Sequence, residues 1–408
     1  MNINIITDYQ PDSSIRETAS NKEINERRTT LGVREKRSVE AQKLYKEART
    51  QESVCREYGI DIKKVLKLAG NENRFGCSPR VIEELEKRKG EFAYYPDFNV
   101  STLRKSLSDK LGAPEESFIF GNGSFEIISL IGAAFIDEGD EAIYTDPSFG
   151  WYINVTTLNG GKVIKVPVNK DFAVDSEAIL KAITERTKVV WLCNPNNPTG
   201  TVLPGTELVS LISRIRRDIL IVLDEAYIDF IDEEANGGPY IDTVKLTEEY
   251  DNLIILRTFS KSYGLASFRI GYGIASEAII DSLTKVRLPM NTTFASHVAA
   301  EAALSDEDFK NYIVRKIDEE RKYYYEALKE FGFTAVRSNG NFIFVHTGRD
   351  GGQIEEALLR QGIMIRNGAE FGFRDYVRIS IGTHEENERV IAALREVLKD
   401  IPVIKEGD

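Results

Sequence analysis

The chain is poor in the side chains that bind metals and form redox pairs. Its 408 residues include three histidines and three cysteines. Cys55, Cys77 and Cys193 stand far apart with no ligand spacing and no Cys-x-x-Cys pair, so neither a metal centre nor a dithiol catalyst is expected. An odd count of thiols suits a reducing, cytoplasmic setting. Long apolar runs are missing as well: the longest lies near residues 127–136, well short of a membrane span. No basic start followed by an apolar stretch marks a secretory leader. Asp8, Asp12, Glu17, Glu23 and Glu26 do not suit a transit peptide either. Positive charge is in deficit, and a net charge of −12 argues against nucleic acid or an anionic membrane as partner. Internal repeats and low-complexity tracts are absent.

What is present has three textures. Residues 1–66 are polar and read as an appended arm, disordered at its start. A charged helix is expected over residues 34–59, with a thin apolar face (Val39, Leu44, Tyr45, Ala48, Val54) suited to docking on a neighbour. From residue 67, short runs rich in Val and Ile alternate with helical patterns: "EAIYTD" (141–146), "KVIKVPV" (162–168), "KVVWLCN" (188–194), "ILIVLDE" (219–225) and "NLIILRT" (252–258). Continuous apolar strands between helices predict a mostly parallel sheet covered on both faces, hence an α/β fold. A long charged helix over 306–333 then opens a smaller α+β segment. Its strands are expected at "FIFVH", "IMIRN" and "YVRISIG", with a terminal helix from His384. The expected division is an arm (1–66), a large domain (67–305) and a small C-terminal domain (306–408).

Open α/β sheets bind ligands beyond the carboxyl ends of their strands. Three successive strands here end in polar text: Asn194-Pro-Asn-Asn-Pro-Thr-Gly200, Asp224-Glu-Ala-Tyr227 and Thr258-Phe-Ser-Lys261. Each piece alone has an ordinary reading. Asn197 suits a turn, Asp224 a loop bonded to its own backbone, Tyr227 a packing position and Lys261 a solvated charge. Arg269 sits in an apolar stretch and is expected to be buried, where a guanidinium demands an anion. Together they match one molecule, pyridoxal phosphate. Its aldehyde takes a lysine amine as a Schiff base, its pyridine nitrogen a carboxylate, its phenolic oxygen hydrogen bonds from Asn197 and Tyr227. Its phosphate takes hydroxyls, an arginine and a helix N-terminus, which "FGNGSFEIISLIGAAF" offers as a glycine-rich turn opening a helix.

Over about residues 68–398 the chain resembles fold-type I pyridoxal-phosphate enzymes of the class I/II aminotransferase family, the histidinol-phosphate branch most of all. The likeness is carried by "NEN" (71–73), "YPD" (95–97), "GNGS" (121–124), "NPNNPTG", "DEAYIDF", "FSKSYGLASFRIGY" and "VRISIGTHEEN" (377–387). It implies that Lys261 forms the internal aldimine and shuttles the proton. Asp224 pairs with the ring nitrogen, and Asn197 and Tyr227 hold the phenolic oxygen. Gly123, Ser124, Thr258, Ser260 and Arg269 take the phosphate, and Phe149 stacks on the ring. Tyr95 matches a tyrosine that reaches the neighbouring subunit's phosphate, implying a homodimer with shared sites. Arg378 matches the clamp on the carboxylate of the amino-acid or keto-acid substrate, and Arg366 a contact to substrate phosphate. Asn73 and Arg74 lie by the expected entrance.

Three positions depart from the pattern: Arg74 stands where proline is usual, Phe125 where an acidic residue is common, His384 where a basic residue is usual. The leading expectation is transfer of an amino group to 2-oxoglutarate, with histidinol phosphate as donor. The same lysine chemistry serves decarboxylases, cyclases and elimination enzymes acting on unusual amino acids, which form the alternative. A transcription regulator built on this domain would carry a basic DNA-binding domain in front, and the arm shows no helix-turn-helix.

Overall fold

The computed structural model describes residues 35–40, 42, 49–233, 236, 238 and 240–404. The strands are β1 (Leu66–Lys67), β2 (Phe118–Asn122), β3 (Glu141–Asp146), β4 (Lys162–Pro167), β5 (Thr187–Cys193), β6 (Leu220–Asp224), β7 (Leu253–Thr258) and β8 (Ile270–Ala275). After them come β9 (Thr334–Val336), β10 (Phe342–His346), β11 (Ile363–Met364), β12 (Arg366–Asn367) and β13 (Tyr376–Ser380). The large sheet runs β2-β8-β7-β6-β5-β3-β4, and β8 alone opposes the others. The five expected strands β3–β7 appear within one residue at either end.

Alternation along these strands explains why they read as unbroken apolar runs. In β5, Val190 and Leu192 enter one core while Val189, Trp191 and Cys193 enter the other; β6 divides likewise into Ile221 and Leu223 against Leu220 and Val222. Helices cover both faces, so neither set can be polar. Strands β2 and β8 were not expected as strands. Gly121, Gly271 and Gly273 punctuate them, and a side chain at Gly271 would meet the Ser124 amide nitrogen at 2.5 Å. Close packing of the strand on the Ser124–Phe135 helix therefore demands the residue that reads as a breaker.

The expected long helix is Glu307–Ala327 followed by a 3₁₀ turn, Leu328–Phe331. It packs over a four-stranded antiparallel sheet, β12-β13-β10-β9. The single strand expected at "IMIRN" is two: Ile363–Met364 pairs in parallel with Leu66–Lys67, and Arg366–Asn367 turns to pair with β13. The core of this unit also holds Leu66, Leu68, Tyr227 and Phe230, so the early chain and the turn after β6 are built into it.

The arm differs from expectation. Thr50 accepts from the Ser53 amide and starts a separate helix, Gln51–Tyr58, which Gly59 ends in the left-handed region. Val54 is fully buried against Val65, Leu359 and Met364, so this helix docks on the C-terminal unit of its own chain rather than on a neighbour. Leu44, Tyr45 and Ala48 of the expected apolar face lie outside the described residues.

Candidate active site

Neighbouring strands bring the three polar strand ends together. In register, Cys193 of β5 lies beside Asp224 of β6, which lies beside Leu256 of β7. Asp224 is buried, its Oδ2 accepting from the Tyr152 hydroxyl at 2.7 Å and its Oδ1 from the Ala226 amide at 3.1 Å. No basic side chain among the described residues bridges to it. The guanidinium on the next strand, Arg257, goes instead to Glu225 at 2.9 Å. Burial outweighs these two hydrogen bonds and the more distant charge of Lys261, and drives the Asp224 carboxyl up to about 6. Such a carboxylate calls for a cation from outside the chain. Tyr152 is fixed in turn by stacking on Trp191, with ring centroids 5.0 Å apart.

Lys261 Nζ donates to the Asn71 carbonyl at 3.0 Å and makes no ion pair among the described residues. Burial, with the nearby charge of Arg378, lowers the amine to about 8. Asn71 also donates from Nδ2 to the Tyr227 hydroxyl at 3.0 Å, while Asn197 Nδ2 reaches the same hydroxyl at 3.4 Å. Arg378 Nη1 donates to Asn197 Oδ1 at 2.7 Å, which turns the amide group of Asn197 toward Tyr227. Burial pushes the Tyr227 phenol up to about 12, so it stays a hydrogen-bond donor at any physiological pH.

The expected phosphate cradle is present. Gly123, at φ +70, leads into the Ser124–Phe135 helix, whose first amide groups are free to take an anion. A side chain at Gly123 would meet Arg269 Nη2 at 2.7 Å. Arg269 donates only to neutral partners: the Ala266 carbonyl at 3.0 Å, the Asn122 carbonyl at 3.3 Å and Ser260 Oγ at 3.5 Å. Thr258 Oγ1 donates to Ser260 Oγ at 3.0 Å. The expectation that Arg269 is buried was wrong. Its backbone adopts φ +53 after the 3₁₀ turn Ala266–Phe268, which lifts it out of the apolar run and leaves it exposed beside the cradle.

Amine, carboxylate, hydroxyl pair and cradle thus fit pyridoxal phosphate on structural grounds: a buried anion lacks a cation, and a helix start lined by arginine lacks an anion. Phe149 is half-buried, edge-on to Phe125 and Tyr152 at 5.4 and 5.5 Å. On β12 and β13, Arg366 and Arg378 are direct register partners. Each leaves its buried Nε without a partner. Burial lowers Arg378 to about 10, with the Arg366 charge acting in the same sense.

Other expected residues have different occupations. Asn73 accepts from the Phe75 amide and donates to the Ser262 carbonyl. Arg74 makes a bidentate pair with Glu386, 2.5 Å at closest, which commits its guanidinium to the C-terminal helix. His384 lies against Glu320 at 3.1 Å. Tyr95 is 85 % exposed. Sequence reasoning missed Asn71 and Tyr152. The first was inside the quoted "NEN" text and takes φ +54, a conformation asparagine tolerates; the second lies 72 residues from Asp224, with no local signal of that contact.

The family model for aminotransferase class I and II matches residues 63–394. A histidinol-phosphate aminotransferase 1 of Bacillus cereus is 39% identical over 368 residues, covering 90% of this chain and 98% of the relative. A histidinol-phosphate aminotransferase of a Geobacillus species is 41% identical, covering 88% and 97%. Among solved structures, the chain is similar to histidinol-phosphate aminotransferase from Sinorhizobium meliloti in complex with pyridoxal-5'-phosphate. That match has a TM-score of 0.83 and 26% identity, covering 91% of this chain and 99% of the other.

Proposed function

The chain belongs to the class I and II aminotransferase family, and we propose on that footing that it moves the amino group of histidinol phosphate to 2-oxoglutarate. It is a pyridoxal-phosphate-dependent transferase. The cofactor supplies a carbonyl carbon for an amine and a ring that takes up electrons released at the substrate carbon.

The residues divide that work. Lys261 Nζ would hold the cofactor by its carbonyl carbon and, as a free amine, would take and return the substrate proton. An amine near 8 carries out that exchange near neutral pH, where an ordinary lysine would stay protonated. Asp224, steadied by Tyr152, keeps the ring nitrogen protonated, and Asn197 and Tyr227 hold the ring oxygen. Gly123, Ser124, Thr258, Ser260 and Arg269 bind the phosphate, with Phe149 against the ring. Residues 67–305 form the cofactor unit and 306–408 the unit that brings the arginines. Of the arm, residues 1–66, the Gln51–Tyr58 helix is read as an attachment that braces the second unit.

One observation carries the substrate reading. Arg366 and Arg378 face each other in register, each with an unpartnered buried Nε. Glu370 takes Arg366 at 3.3 Å, while Arg378 donates to the neutral Asn197 side chain and Ala69 carbonyl, so the two guanidinium groups together still carry excess positive charge that an anion would offset. A phosphate monoester in one half-reaction and a dicarboxylate in the other both supply it, through bidentate pairs. A copy of the chain completes the site in this reading, its Tyr95 reaching the cofactor phosphate. Phe92, Tyr94, Phe98, Leu288 and Met290 are exposed with it. All three cysteines are free thiols, in keeping with the cytoplasm.

The test is a half-reaction: holoenzyme and histidinol phosphate without acceptor, followed by absorbance and product mass. Conversion to the pyridoxamine form with the matching carbonyl product is expected. Histidinol, lacking the phosphate, should react at least ~100-fold less efficiently, as two charge-assisted contacts are lost. Release of carbon dioxide from an amino acid, with no pyridoxamine formed from histidinol phosphate, would replace this reading with the decarboxylase.

A further inference from the structure

Lys261 is followed by a serine that no cofactor contact requires. Ser262 is fully buried, and its Oγ donates to Asp229 Oδ2 at 2.6 Å, the short distance of a hydroxyl bound to a carboxylate. Its carbonyl accepts from Asn73 Nδ2 at 3.2 Å. Two residues on, Gly264 adopts φ +71 and packs backbone to backbone. A side chain there would meet the Gly76 carbonyl oxygen at 2.1 Å. The turn after Lys261 is therefore gripped between the 71–77 loop and Asp229.

Asp229 is itself held. It lies in the 3₁₀ turn Ile228–Phe230, which follows Asp224 and Tyr227, so one short stretch carries two site residues and this carboxylate. Its Oδ1 takes Lys310 of the Glu307–Ala327 helix at 3.4 Å, and Lys310 is braced by Glu307 at 3.0 Å. Arg257, Tyr263 and Tyr272 add their fields from the neighbouring turn and strands. A cavity of about 90 Å³ adjoins the carboxylate, bounded by Arg257, Thr258, Tyr272 and Lys310.

We propose that Asp229 is a positioning residue for Lys261: by holding Ser262 it fixes the backbone from which the lysine swings. The inference rests on the reading of Lys261 as the cofactor lysine. A lysine side chain has four rotatable bonds. Its amine must leave the cofactor carbon, stand clear of the substrate and return a proton to one atom. That repeatability comes from the backbone anchor, and a displacement near 1 Å costs about 100-fold in rate.

The test is a double-mutant cycle in the holoenzyme. Asp229→Ala and Ser262→Ala should each lower kcat by roughly 10- to 100-fold with little change in KM. The double variant should be no worse than the poorer single one, since both remove the same contact. Both should move the pH midpoint of the bound cofactor's absorbance alike, a readout independent of turnover. Asp229→Asn, whose amide oxygen still accepts from Ser262, should restore most of kcat. Additive losses, or a lowered melting temperature with kcat and midpoint intact, would overturn the proposal. If Asp229→Ala fails to fold, Ser262→Ala carries the same test. Lys261→Ala separates the two readings. Should it retain turnover, the role of Lys261 itself fails; should it abolish turnover while Asp229→Ala and Ser262→Ala do not lower kcat, only the present inference fails.

Discussion

Burial acts on Lys261 and Asp224 in the same sense, each toward its neutral form, and outweighs the attraction of the opposite charges nearby. That pairing was legible in part. The hydroxyl pair before Lys261 and the acidic end of β6 stood out because polar text at a core strand's end needs a reason. Asn71 and Tyr152 did not, because their roles are made by contacts across 156 and 72 residues of chain. For the cofactor-free protein the lysine has a testable cost. Its folded value near 8 lies below the ordinary 10.5, so below about pH 8 both folded and unfolded amines are protonated and the full penalty of burying the charge is present. Between about 8 and 10.5 the folded amine is neutral and the unfolded one still charged, so stability rises with pH across that window. Lys261→Met should therefore exceed the wild type in stability at pH 7, by on the order of 2 kcal/mol after allowance for solvent reaching the amine. The gap should close by pH 10.5. Denaturant melts across this range check the sign, and a gap that widened with pH would contradict it.

Among the elements, the strands with two apolar faces were read from sequence, and those built on glycine or split by a change of partner were not. β2 and β8 look like loops because their glycines allow the Ser124–Phe135 helix to press on the sheet. Residues 363–367 look like one strand because nothing local tells Met364 to pair with Lys67 and Arg366 to pair with Arg378. The cradle shows how a local signal gains meaning from its surroundings: a lone Gly-x-Gly is weak, and here a side chain at Gly123 would press on Arg269. Gly123→Ala meets two penalties, an extended backbone at φ +70, ψ 172 worth about 1–3 kcal/mol for a non-glycine residue and a methyl placed at 2.7 Å from a guanidinium nitrogen. The guanidinium can yield, so the protein should fold. Its affinity for pyridoxal phosphate should fall at least ~10-fold, measured by titrating cofactor-free protein and following fluorescence or absorbance. Unchanged affinity would remove Gly123 and Arg269 from the phosphate site.

For the whole molecule, the described residues leave one conspicuous surface unaccounted for by a single chain. Tyr95 is 85 % exposed, Tyr94 73 % and Leu288 72 %, on segments beside Phe92 and Phe98. The described part of the arm is spent on its own chain, the Gln51–Tyr58 helix on the C-terminal unit and Gln42 on Thr157 of the large unit at 2.8 Å. Exposed aromatic residues gathered in this way favour a partner, and the proposed partner is a second copy of the chain, whose Tyr95 would then reach each site. Sharing makes a prediction that no single-chain site can meet. Tyr95→Ala and Lys261→Ala are each expected to be nearly inactive as pure dimers. Mixed and allowed to exchange, they form hybrids in which one site has its lysine from the first chain and its tyrosine from the second, while the other site lacks both. Random exchange should then return about a quarter of wild-type activity. If Tyr95 served its own chain, every site in the mixture would lack one residue or the other and no activity would return. A steady-state assay of the mixture against the two separate variants decides between them.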